Sequence, residues 1–449
     1  MINIFSIKYD VYPLLKLAVP LTLTGLVQCA PWFFETLFLA QLGEHTLAAG
    51  ALVSWLFATI AVILFGTLGA INILVAHKHG ANDQESIADI AREGIFQALL
   101  LAIPTVIVLW NMAPIFLLFG QSESVVVLAQ AYLHALSWGI LANFLQMACL
   151  EMIIGLGHTR VILIFSIITV SFNIICSYVL IFGKYGFPAL GIAGAGWGMT
   201  LSYWITLTIL IVFIVTNKQY RIYYQKILKF KKPRYLLELF QVGVPIGLMY
   251  CVEVGFFFAL TLAMGLLGTT VQAANQVAVQ YLGLVASTMF ALSQAITVRM
   301  GHLIGAGHIS SSISASHVGV TIAVLLASIV ALGYWITPNP LISIIFNIHD
   351  PANFEIVAMI KKLLVISAVF QIVESARIAL FGSLRAIKET KFTMLISIIS
   401  FWCVAFPLGY FIAIPLNMGA PGFWWGMVMG ASISVLLLQW RFKVKIKCY

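Results

Sequence analysis

Leu52-Val-Ser-Trp-Leu-Phe-Ala-Thr-Ile-Ala-Val-Ile-Leu-Phe-Gly-Thr-Leu-Gly-Ala-Ile-Asn-Ile-Leu74 runs 23 residues without a charged side chain. Such a run is long enough to cross the hydrocarbon core of a bilayer as helix. Backbone N–H and C=O groups in lipid must be paired internally, which leaves a helix or a closed barrel. Barrel strands are short and alternate apolar with polar residues; neither this run nor Val320–Ile336 does so. Working outward from it, apolar stretches of similar length predict twelve spans, at about 14–40, 47–77, 94–118, 126–155, 160–183, 192–216, 236–265, 271–303, 314–336, 358–384, 391–414 and 420–440. The first is too long for a removed signal peptide, and no small-residue cleavage site follows it.

Composition agrees with an all-α polytopic membrane protein. Of 449 residues, 62% are hydrophobic and 9% charged, and the mean hydropathy is +1.04; soluble domains are roughly 45–50% apolar. The formal charge of +9 is not a nucleic-acid signal, because the bases gather in the loops of one side. Lys218, Arg221, Lys226, Lys229, Lys231, Lys232 and Arg234 follow the sixth span, Arg385, Lys388 and Lys391 the tenth, and Arg441, Lys443, Lys445 and Lys447 the twelfth. Loops near Gly43, Gly120, Gly268, Asn339 and Asn417 have almost none. The positive-inside rule then puts both termini and the central loop in the cytoplasm, with the chain in the inner (plasma) membrane. Cys29, Cys149, Cys176, Cys251, Cys403 and Cys448 include no CxxC pair, so neither a disulfide framework nor a metal site is expected.

The chain repeats itself. Leu14-Leu-Lys-Leu-Ala-Val-Pro20 matches Leu239-Phe-Gln-Val-Gly-Val-Pro245, 225 residues on, as Leu42-Gly43 matches Leu267-Gly268 and Gly80-Ala81 matches Gly305-Ala306. Phe165-Ser-Ile-Ile168 matches Ile396-Ser-Ile-Ile399, and the Gly-x-x-Gly-x-x-Trp-Gly-Met patterns at Gly191 and Gly419 match 228 apart. Two parallel six-helix repeats are expected: an N-terminal lobe over 1–217, a basic linker over 218–235 and a C-terminal lobe over 236–449. Pseudo-symmetric lobes that enclose a cavity and alternate in access suit a carrier.

Three carboxylates fall inside apolar spans, and a charge at membrane depth is costly enough to suggest function. Glu374 lies eleven residues before Arg385, about 16 Å along a helix. Arg377 at i+3 and Gln371 at i−3 share its face, so Glu374 is either in a structural ion pair or a titratable site. Glu253 lies fifteen residues before Gly268, about 22 Å. It has no cation within a helical turn and needs a proton, a bound cation or a partner from another helix. Tyr250 and Phe257 flank it, as lipid-facing or core rings or as cation–π partners. Glu35 follows Pro31 by four residues; a bend there would expose carbonyls to a cation, and the alternative is an interfacial acid in contact with water. Among intramembrane amides, Asn173, Gln276 and Gln280 are candidates to support a cavity, although most such groups, Asn72, Gln97, Asn143, Gln146 and Gln294 included, bond neighbouring helices. Glu151, Arg160, Asp83, Glu85, Asp89 and Arg92, at helix ends, read as solvated or end-capping groups. There is no Walker A run, no HExxH and no Ser/His/Asp arrangement, so no enzyme or ATP-driven pump is expected in this chain.

These residues resemble the multidrug and toxic compound extrusion (MATE) family. The resemblance rests on Ala18-Val-Pro20 with Val244-Pro245, Phe34-Glu-Thr36, Leu47-Ala-Ala49, Gly155-Leu-Gly-His-Thr159-Arg160, Asn173, Gly191-Ile-Ala-Gly-Ala195, Gln272-Ala-Ala-Asn-Gln276 and Gly382-Ser-Leu-Arg385, and covers about residues 10–440. It implies two six-helix lobes in a V and export of cationic, amphipathic drugs in exchange for H⁺ or Na⁺. It also implies cation-binding acids in the seventh and tenth helices, at Glu253 and Glu374. Glu35 and Glu374 stand where the family often has Asp. The expectation is a secondary active antiporter with no cofactor beyond the coupling ion, acting as a monomer among membrane lipids on small organic cations. A lipid-linked oligosaccharide flippase of related architecture is the alternative; it would want several cavity-facing bases, and Arg377 is the clear mid-span one. A major facilitator carrier would want a Gly-x-x-x-Asp-Arg-like loop where this chain has His79-Gly-Ala-Asn-Asp-Gln-Glu85.

Overall fold

The structure is a computed structural model and describes residues 4–224 and 232–448, with side chains from Val11 onward in the first helix. Lys226, Lys229 and Lys231 of the expected linker lie outside the described residues. Among the described residues all regular structure is helical, and twelve helices are long and apolar enough to cross a membrane. They are α1 (Val11–Ala40), α2 (Glu44–Gly80), α3 (Gln84–Trp110), α4 (Glu123–Gly155), α5 (Thr159–Phe182), α6 (Ile192–Thr216), α7 (Leu236–Leu266), α8 (Thr269–Gly305), α9 (Ile309–Ile336), α10 (Pro351–Ala386), α11 (Thr390–Ala413) and α12 (Ala420–Cys448).

The helix starts show how local sequence sets the repeat. Gly43 and Gly268 take φ of 107° and 122° just before α2 and α8, a backbone region that favours glycine. Helix α3 begins ten residues before the expected 94, because Asp83 caps it by accepting from Ser86 N at 3.1 Å. The charges before position 94 are paired within the helix, Arg92 with Asp89 at 3.3 Å and with Glu93 at 3.2 Å.

Packing repeats as the sequence does. Helix α4 packs against α2, α3 and α6, and α5 against α6; α10 packs against α8, α9 and α12, and α11 against α12. Helices α4 and α10 are thus the corresponding hubs. Close approach relies on the repeated glycines: a Cβ on Gly194 would stand 2.6 Å from Ile181 N, and one on Gly422 2.5 Å from Ala413 N. Small residues of this kind let apolar helices meet backbone to backbone.

The chain forms two compact units, Leu23–Gly247 and Met1–Thr22 with Leu248–Tyr449. The first half of α7 belongs to the former for a local reason. Cβ atoms on Gly243 and Gly247 would meet Thr67 O and Ile63 O of α2 at 2.1 and 2.4 Å, so the two backbones are in contact there.

Candidate functional site

Helix α10 places Glu374 and Arg377 one turn apart. Arg377 Nε donates to Glu374 Oε2 at 2.7 Å and Nη2 donates to Glu374 Oε1. The guanidinium also reaches α7, where Nη1 donates to Glu253 Oε1 at 2.8 Å. Ser397 Oγ of α11 donates to the same Glu253 oxygen at 3.1 Å. All three charged groups are buried, Arg377 1%, Glu374 6% and Glu253 7% exposed. Of the two sequence readings of Glu374, the ion pair with Arg377 is made here, and it extends to Glu253, whose partner comes from another helix.

Aromatic rings hold the guanidinium. Its carbon lies 4.6 Å from the Phe381 ring centre and 4.7 Å from that of Phe401, a cation–π contact with each ring. Phe401 is in a π-helical stretch, Ile399–Ala405, that starts two residues beyond Ser397. Pro407 lies just beyond and has no N–H for an α-helical bond. Widened turns of this kind recur at functional sites. Trp402 Nε1 donates to Val252 O at 3.1 Å, fixing α11 to α7 beside Glu253. One turn before Glu253, Tyr250 Oη accepts from Arg385 Nη2 at 3.0 Å.

Glu35 belongs to the other unit. Helix α1 breaks at Gln28–Cys29, and Pro31 stands in the first turn of the following segment, where its missing N–H is harmless. Glu35 is 6% exposed and accepts from Tyr132 Oη of α4. Asn173 of α5 is buried in the same unit.

Other candidates lie elsewhere. Gln276 and Gln280 have exposed side chains; the buried amide of that helix is Asn275, whose Oδ1 accepts from Trp424 Nε1 at 3.1 Å. Phe257 packs edge-on against Phe256 in the apolar core of its unit. Glu151 corrects the expectation of a solvated end group: it is 1% exposed and accepts from Asn72 Nδ2 at 2.5 Å. Asp89 is buried as well.

Sequence reasoning missed Ser397, Tyr132 and Glu93. Glu93 accepts from the backbone N–H groups of Arg234 and Tyr235 at 2.9 and 2.6 Å, satisfying donors that open α7. Only its place inside an apolar helix could have flagged it. Ser397 did lie in a repeated Ile-Ser-Ile-Ile pattern.

The arrangement at α7, α10 and α11 is two buried carboxyl groups sharing one guanidinium; with both acids ionised, one negative charge is left over. It can take a proton or a small cation. Among the described residues no three His, Cys, Asp or Glu side chains are grouped to hold a metal ion. A surface depression of about 550 Å³ lies apart from these groups, lined by residues between Asn339 and His349.

The MatE family profile matches twice, over residues 20–179 and 245–411. The chain is 32% identical over 431 residues to the multidrug resistance protein NorM of Burkholderia vietnamiensis, spanning 96% of this chain and 93% of that one. It is 31% identical over 435 residues to the probable multidrug resistance protein NorM of Pseudomonas putida, spanning 97% and 94%. A crystal structure of MATE in the bent conformation superposes with a TM-score of 0.88, covering 97% of this chain and 95% of that one at 18% identity. The eukaryotic MATE transporter AtDTX14 superposes at 0.82, covering 99% and 98% at 17% identity. At such identities the structural likeness speaks for the fold.

Proposed function

The chain belongs to the MatE family, and from that membership we propose that it is a secondary active antiporter exporting small cationic, amphipathic drugs in exchange for H⁺ or Na⁺. The names of its relatives, multidrug resistance proteins, support drug export. The observation that carries cation coupling is the meeting of Glu253 and Glu374 on one buried guanidinium, inside a chain of membrane-crossing helices. Carboxylates at membrane depth are expensive to keep without a task.

Exchange requires that drug and ion compete for one negative charge or bias one conformational equilibrium. In this reading the deprotonated site favours the organic cation facing the cytoplasm. A proton or Na⁺ arriving from outside neutralises the site, and the drug leaves. Glu35, held by Tyr132, serves as a second acid for ion relay or substrate capture. The clustering of Lys and Arg in the loops with the termini supports a cytoplasmic position for both ends in a bacterial inner membrane. Labelling of the exposed Cys448 with an impermeant maleimide, open in inverted vesicles and blocked in intact cells, checks the orientation.

The test of function is ethidium transport in vesicles under separately imposed proton and sodium gradients. Wild-type protein should move ethidium against one of them, and Glu253→Gln and Glu374→Gln should each lose that transport. Normal transport by both variants would remove the carboxylates from the mechanism.

A further inference from the structure

We propose that Arg377 is a tethered counter-cation. It neutralises one of the two negative charges of Glu253 and Glu374, so the pair takes up one monovalent cation per cycle where the acids alone would take two. This rests on the antiport reading above and adds its charge count.

Three observations support it. First, the guanidinium treats the two acids unequally. Both oxygens of Glu374 are engaged by its fork, through Nε and Nη2. Glu253 receives one N–H from Arg377 and the Ser397 hydroxyl, and both fall on Oε1. Glu374 is thus the standing partner of the arginine, and Glu253 Oε2 is the oxygen left for an arriving proton or metal cation.

Second, Arg377 is built to stay. It is 1% exposed and lies over the Phe381 and Phe401 rings, 4.6 and 4.7 Å from their centres. A buried guanidinium in contact with two rings and two carboxyl groups is a fixture of the site. A guanidinium also keeps its charge at any physiological pH, so the offset it provides is constant through a cycle.

Third, other charged groups around α10 are engaged elsewhere. Arg385 lies eight residues on, about 12 Å along the helix, against Tyr250. Glu389, at the start of α11, holds Arg441 and Lys445 of α12 at 2.9 and 3.0 Å. Helix α8 contributes Arg299 and His302, both with partners of their own, and α9 contributes the exposed His317. The ion pairs of Arg377 are with Glu253 and Glu374. The count is therefore two negative charges and one positive. One H⁺ or Na⁺ brings the site to neutrality, whereas a divalent cation would leave it positive in a medium that penalises net charge.

The experiment uses the full chain in liposomes, with ethidium as the singly charged substrate and a valinomycin-set potential to read the charge moved per ethidium. Glu374→Gln leaves Glu253 and Arg377 mutually neutral, and gradient-driven exchange should fall about tenfold or more. Adding Arg377→Gln to that variant leaves Glu253 alone at −1. Exchange should return, with the wild-type number of charges per ethidium. Arg377→Gln alone should move one charge more than wild type. If that variant fails to fold, the rescue of Glu374→Gln still decides, since a merely structural arginine would make the double variant worse than the single one. No rescue, or an unchanged count in a folded Arg377→Gln protein, overturns the proposal. Absence of wild-type ethidium exchange under either gradient instead removes the antiport reading beneath it.

Discussion

Glu253 and Arg377 are 124 residues apart in the chain and 2.8 Å apart in space, joined from α7 to α10. The contact gives a carboxylate with no cation on its own helix a partner in the interior of its unit. It also makes the arginine the common neighbour of both acids, so the three side chains stand or fall together.

That dependence predicts a stability result. Arg377→Met should leave two buried carboxylates uncompensated and destabilise the protein by about 3–5 kcal/mol. The triple variant Glu253→Gln, Glu374→Gln, Arg377→Met removes all the charge and should recover most of the loss. Thermal unfolding of the detergent-solubilised proteins, followed by tryptophan fluorescence, measures both. Equal melting of the single and triple variants would deny that charge compensation is what Arg377 supplies.

The hydroxyl of Tyr132 supplies a hydrogen bond to buried Glu35. Tyr132→Phe should cost about 1–3 kcal/mol, because the acid is left short of a donor. In a Glu35→Leu background the same change should cost far less, since no acceptor is stranded. A double-mutant cycle on melting midpoints reads the difference.

Gly194 and Gly422 occupy equivalent places in α6 and α12, each facing the backbone of the preceding helix at 2.5–2.6 Å from where a Cβ would sit. Ala at either should therefore force the helices apart and cost about 1–3 kcal/mol. Gly25 in α1 has nothing within 4 Å of that point, and Ala there should be neutral or stabilising by up to about 1 kcal/mol. Parallel melting curves of the three variants check the contrast.

The helices were legible because membrane spans announce themselves by length and by lack of charge. Legibility failed where charge was hidden by pairing: the expected span begins at about 94 and omits the first turns of α3, since Asp89, Arg92 and Glu93 carry no sign in sequence of being satisfied by one another and by Arg234 and Tyr235. The acids of the site stood out as single residues. Their partner was visible for Glu374, on its own helix face, and invisible for Glu253, because nothing local fixes which helices meet. The amides show a further limit. One residue is a rotation of about 100° on a helix, which separates buried Asn275 from exposed Gln276, and sequence does not set that rotation.

Asp83 gives a pH prediction outside the membrane-crossing segments. Its carboxylate accepts from the hydroxyl and backbone N–H of Ser86 and lies 3.5 Å from Lys78 Nζ. The Ser86 hydroxyl first, then its N–H and Lys78, hold the Asp83 carboxyl below its ordinary value, against a smaller opposing effect of burial. A carboxylate lowered in the folded state contributes its stability above its unfolded pKa and loses it as pH falls through the folded one. The cap should thus be worth about 1 kcal/mol at neutral pH against Asp83→Ala, and nearly nothing once it is protonated. The melting difference between wild type and Asp83→Ala should hold from pH 6 to about pH 5, where the carboxyl is ionised in folded and unfolded chains alike, and shrink as pH falls from about 4 toward about 2. Added salt should change it little, since the Lys78 contact is partly solvent-screened and the hydrogen bonds to Ser86 dominate. A difference that stays constant over that range would mean that the start of α3 is held by something other than the charged form of this side chain.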